Sequence, residues 1–139
     1  MNPGADAVPR WMVVVAALLG LTGVVAGAFG AHGLDGAVAP DRLSAFETGA
    51  RYQVFHALAL LAVGVLAGQG LAGRWLTASA LCFTVGVGLF SGSLYGLVLL
   101  NWAFLGPITP LGGLLLMAGW LLLAVAALTS QSHSGGERR

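Results

Sequence analysis

The side chains able to do chemistry recur at helical spacing in an otherwise apolar chain. Thr48, Tyr52 and His56 are spaced by four and Gln53 and His56 by three, so one polar face follows a helix. Ser91 and Tyr95 share a face at the same interval with Ser93 between them, while His32 and Thr109 sit in glycine-rich stretches. An imidazole beside a hydroxyl begins a nucleophilic pair, with His56 as base and Ser91 or Ser93 as nucleophile, acting on a lipid or quinone. The orienting acid would come from Asp41 or Glu47, and Glu47 lies roughly 13 Å from His56 along a continuous helix. His32 and His56 could instead ligate haem or a metal ion, although no CxxCH or HxxxH spacing accompanies them. The plainest expectation is a hydrogen-bonded cluster, because uncharged polar groups in lipid turn toward protein and find partners. On that reading no catalytic residue, metal site or cofactor is expected.

The elements that position these groups are apolar runs. Of 139 residues, 58% are hydrophobic and only 8% charged, too little polar surface to cover a water-soluble domain. The runs cover about 11–31, 52–68, 75–97 and 111–128, and none contains Asp, Glu, Lys or Arg. Each approaches the roughly 20 residues that cross a hydrocarbon core of about 30 Å, the second being short unless it begins before Tyr52. No period-two alternation suggests a barrel, so the expected fold is all-α, an integral membrane four-helix bundle in a single domain over 1–128. The first run is too long for a signal peptide and is read as a retained helix. The tail over 129–139, with His133, is read as disordered and cytoplasmic.

Small residues mark the packing seams. Ala16, Gly20, Gly23, Gly27 and Gly30 recur along one face, and Gly64 with Gly68, and Gly88 with Gly92 and Gly96, repeat the spacing that lets backbones approach. They are expected to serve packing within the bundle, with oligomerisation as the functional alternative. Gly23 and Gly27 are both expected to be intolerant of a bulky side chain. Cys82 has no cysteine partner and reads as packing or lipid-facing sulfur.

Between the first two runs, Pro40-Asp41 resembles a helix start, and Leu43, Phe46 and Ala50 fall on one face, predicting a short interfacial helix. Glu47 and Arg51 form a favourable i,i+4 pair, and Arg42 or Arg51 could meet a lipid headgroup. Before the fourth run, Thr109 is expected to cap a helix with Pro110 as its first residue. That would leave the N–H groups of Leu111, Gly112 and Gly113 open to an anion or headgroup, with a plain cap as the bland alternative.

Arginine placement predicts orientation. With four spans, Arg10, Arg74, Arg138 and Arg139 share a side against Arg42 and Arg51 on the other, which puts both termini in the cytoplasm. His32, Gln53, His56, Ser91, Ser93, Tyr95 and Thr109 then converge in the non-cytoplasmic half. His56 is expected as a neutral imidazole bonded to Gln53 or Tyr52 from its own helix and to Ser91 or Tyr95 from the third.

Four segments taken together, 27–34, 48–61, 90–95 and 106–113, closely resemble the family known as domain of unknown function 423, which includes transmembrane protein 256 and small bacterial inner-membrane proteins. The segments read GAFGAHGL, TGARYQVFHALALL, FSGSLY and GPITPLGG, and the resemblance covers about 11–128. It implies a four-helix protein of the bacterial inner membrane and carries no reaction, ligand or catalytic residue with it. The expected role is non-enzymatic, holding a membrane lipid or serving a membrane complex or homo-oligomer. Few basic residues and no basic patch argue against nucleic acid as a partner, and a span without carboxylate or lysine argues against proton-coupled transport.

Overall fold

The computed structural model describes residues 8–130. Among them are four long α-helices: α1 (Arg10–Phe29), α2 (Pro40–Gly68), α3 (Arg74–Leu99) and α4 (Ile108–Ser130). Each is long and apolar enough to cross a membrane. A π-helical turn, Gly30–Leu34, continues α1, and a single 3-10 turn, Ala103–Leu105, precedes α4. The helices are packed in series, α1 on α2, α2 on α3 and α3 on α4. As a result α2 and α3 are central and α1 and α4 flank them with broad apolar faces, which Leu18, Leu21 and Val24 show on α1 and Leu114, Met117 and Leu121 on α4. In water such faces would be aggregation surfaces; against lipid they are the expected exterior.

Small residues decide where the helices touch. At Gly119 an added Cβ would stand 2.6 Å from the Phe83 ring, and at Gly112 it would stand 2.7 Å from the Phe90 Cα, so α4 lies directly on α3. Phe83, Leu60, Val63 and Leu76 are sealed within the main core. A smaller core of Leu34, Phe46 and Val98 closes the end that carries the π turn. Phe46 anchors it, edge-on to Phe29 at 6.0 Å and tilted on Tyr95 at 4.8 Å.

The stretch from Pro40 is helical but is not a separate interfacial helix, because it runs unbroken into the second span. Gly49 does not interrupt it: the missing side chain lets Tyr95 and Leu94 of α3 approach there. The 29 residues of α2 extend about 44 Å, beyond the roughly 30 Å of a hydrocarbon core. The excess is about nine residues, so the part with Asp41, Arg42 and Glu47 lies in the interface and the spanning part begins shortly before Tyr52, with Arg51 at its edge. Helix α4 likewise begins at Ile108, so Thr109 and Pro110 lie within its first turn, and Thr109 is not the cap. Thr129 and Ser130, assigned to the tail by sequence, end this helix. The rest of the expected tail, with His133, Arg138 and Arg139, falls outside the described residues.

Candidate functional site

The polar side chains are distributed as bridges between neighbouring helices. Gln53, 5% exposed, joins three of them. Its Oε1 accepts from the Tyr95 hydroxyl at 2.8 Å, while its Nε2 donates to Leu19 O at 2.9 Å and to Thr22 Oγ1 at 2.7 Å. Ser91 donates to Gly49 O at 2.7 Å, tying α3 to α2. Ser93 donates to Phe90 O at 2.9 Å, so in the 2.6 Å bond between Ser93 and Thr109 the threonine hydroxyl donates, tying α4 to α3. Ser79 donates to Gly119 O at 2.7 Å across the same pair of helices. Among the described residues no buried side-chain nitrogen or oxygen lacks a partner.

His56, 6% exposed, bonds through both ring nitrogens. Nδ1 lies 2.8 Å from Tyr52 O, which can only accept, and Nε2 lies 3.1 Å from the Trp120 indole nitrogen, which can only donate. Only the neutral tautomer protonated on Nδ1 satisfies both bonds. The expected partner in the third helix is therefore corrected: Trp120 of α4 takes that place, while Ser91 and Tyr95 are committed to Gly49 O and Gln53. Neither Ser91 nor Ser93 bonds to His56, so the imidazole and hydroxyl of a nucleophilic pair are not brought together. His32 lies exposed on the π turn and is not part of this arrangement, and both nitrogens of His56 are occupied, so a metal would have to displace a bond.

The expected anion contacts separate into two groups. Gly112 and Gly113 lie past the first turn of α4, where the helix's own carbonyls use their N–H groups, and Gly112 is pressed against the Phe90 backbone. Leu111 is exposed beside them. Arg42 donates through Nη2 to Leu97 O and Val98 O, each at 2.8 Å, so it caps carbonyls at the end of α3. Arg51 is exposed and lines an open groove of about 500 Å³ between α1 and α2, with Gly23, Gly27, Ala28, Glu47 and Val54. A second stretch of about 470 Å³ continues from it, sharing Val24 and Val54 and lined by Gly20, Ala17, Leu58 and Leu61. The groove is apolar along its length and charged at one end.

Thr22, Ser79 and Trp120 were not singled out in the sequence. Ser79 and Trp120 each stand alone among apolar neighbours, without a polar repeat to mark them. Thr22, one residue from Gly23 and so turned away from the glycine face, is tied to α2 only by the bond it accepts from Gln53.

Four apolar helices bridged by uncharged polar groups, with the arginines of α2 confined to its first part, define an integral membrane protein of the multi-pass α-helical class. The family described as protein of unknown function DUF423 matches residues 26–113, and the chain belongs to it. It is 44% identical to a UPF0382 membrane protein of Staphylococcus aureus over 118 residues, covering 84% of this chain and 94% of that protein. It is 42% identical to the UPF0382 membrane protein YwdK of Bacillus subtilis, covering 84% and 94%. With the UPF0382 inner membrane protein YgdD of Escherichia coli K12 the identity is 41%, covering 86% and 90%. No solved structure matches the chain.

Proposed function

We propose that the protein is a non-catalytic membrane component that holds a phospholipid in the groove between α1 and α2. The observation carrying this reading is the groove's polarity: an apolar channel walled by Gly20, Ala17, Leu58 and Leu61 leads to an end where Arg51 is exposed beside Glu47. An acyl chain fits the first part by burial of apolar surface, and a phosphate fits the second by charge-assisted hydrogen bonding to a guanidinium. Arg51 closes the charged part of α2, where a headgroup would lie, and its long side chain can reach outward to it. Under the positive-inside rule the arginine distribution supports cytoplasmic termini and, with them, an outer-leaflet position for that end. A second reading, association with another copy or another membrane protein, is favoured by Gly88 and Gly92, where an added Cβ would meet nothing within 4 Å.

Native mass spectrometry of gently extracted protein tests both readings. Retained phospholipid should be seen on the wild type and lost from Arg51→Gln and from Gly20→Leu, which fills open space in the groove. Lipid retained equally by all three forms would overturn the groove as its site, and a dimer lost on Gly88→Leu would favour the second reading.

A further inference from the structure

A separate crevice of about 400 Å³ opens between α2 and α4, walled by Tyr52, Phe55, Gly113, Met117 and Trp120 with His56 at its back. It shares no lining residue with the groove between α1 and α2. The His56 ring is held on two sides, stacked on Tyr52 at 5.9 Å and tilted on Phe83 at 5.5 Å. Gly113 contributes to the opening by its lack of a side chain: a Cβ there would make only ordinary contact with the Phe90 ring, at 3.7 Å.

Hydrogen bonding selects the chemistry of an occupant. Because Nδ1 of His56 gives its proton to Tyr52 O, Nε2 is left as an acceptor, and the Trp120 indole N–H meets it at the crevice. Trp120 is 49% exposed and meets the Phe83 ring edge-on at 5.1 Å, so its exposed side leaves it room to shift while that edge contact is the packing it gives up. We propose that this crevice binds a membrane-soluble phenol or hydroquinone, whose hydroxyl inserts between Trp120 and His56. A hydroxyl both accepts and donates, so it takes the indole proton on its oxygen and gives its own proton to Nε2, leaving neither group bare. A quinone carbonyl or an ether oxygen only accepts; it would satisfy Trp120 and strand Nε2, which costs the desolvation of a buried acceptor. The rings of Tyr52, Phe55 and Trp120 favour a flat aromatic body over an aliphatic alcohol, through offset and edge contacts. The step is binding alone: the hydroquinone leaves with the electrons it brought.

Full-length protein in phosphatidylcholine nanodiscs provides the test, followed through the indole N–H resonance of Trp120, which Trp120→Phe assigns. Trimethylhydroquinone, its dimethyl ether and trimethylbenzoquinone are titrated in turn. The hydroquinone should displace the resonance saturably, and half-saturation should need about tenfold more of the other two, the usual consequence of one stranded acceptor. Gly113→Leu, which fills the crevice without a backbone clash, should abolish the saturable displacement while thermal unfolding stays near the wild-type value. Equal displacement by all three probes, or saturation unaltered in Gly113→Leu, would overturn the proposal and reduce the effect to partitioning at an apolar surface.

Discussion

The Tyr95 hydroxyl gives its proton to Gln53 Oε1 at 2.8 Å, and through that one amide a side chain of α3 is connected to α1, which α3 does not pack against extensively. Tyr95→Phe should cost about 0.6 kcal/mol and no more than roughly 1.7, the range for side-chain hydrogen bonds inside membrane proteins. Gln53→Leu should cost more, because it removes three bonds and leaves the Tyr95 hydroxyl without its partner. Unfolding in mixed micelles by a denaturing detergent, run as a double-mutant cycle, measures the coupling. Strictly additive losses would show that the bond does not contribute.

The glycine face of α1 divides into positions that pack and positions that do not. A Cβ at Gly23 would stand 2.7 Å from Val54 Cγ2, whereas at Gly27 and Gly20 it would meet nothing within 4 Å. Gly23→Leu should lower the thermal midpoint in detergent by several degrees, and Gly27→Leu should leave it unchanged or slightly raised by better helix propensity. This corrects the expectation that both are intolerant. The seam is narrower than its spacing, because Gly23 and Gly30 face Val54 and Phe46 of α2 while Gly20 and Gly27 open onto the groove beside it.

The architecture was legible in the sequence because runs without charge can satisfy their backbone in lipid only as helices. The helix ends were less so: the stretch with Asp41, Arg42, Glu47 and Arg51 reads as a separate short helix because its charges interrupt the apolar run, yet it is continuous with α2. At the polar sites, spacing grouped Gln53, His56, Ser91 and Tyr95 in one cluster around His56, whereas the structure pairs Tyr95 with Gln53 and turns His56 to α4. Spacing could not give the rotation of α4, and so the partnership of His56 with Trp120 was not visible. Arg42 illustrates the remaining gap, since pairing a side chain with carbonyls 55 and 56 residues away depends on tertiary contact alone.

Topology is the next test. If both termini are cytoplasmic, as the arginine count proposes, a cysteine placed at Ser44 in a Cys82→Ala background should react with an impermeant maleimide in spheroplasts, which expose the outer face of the inner membrane. One placed at Ser134 should react only after permeabilisation. The reverse pattern would invert the orientation and move the Arg51 end of the groove to the cytoplasmic leaflet.

Arg42 holds the end of α3 through the carbonyls of Leu97 and Val98, at the point where Asn101 adopts a positive φ of 56° and the chain turns toward α4. The terminal carbonyls of a helix lack intrahelical donors, and a guanidinium beside them also meets the negative end of the helix dipole. Removing it should loosen the connection locally without unfolding the core, because Val98 still packs with Leu34 and Phe46. Arg42→Ala should therefore speed amide exchange over 97–106 several-fold, while exchange in the α3 segment around Phe83 stays as in the wild type. Arg42→Lys should recover part of the protection, since an ammonium keeps the charge but reaches two carbonyls less well than a planar guanidinium. Hydrogen exchange followed by mass spectrometry in nanodiscs reads both effects, and unaltered exchange over 97–106 in Arg42→Ala would show that the two bonds do not hold the helix end.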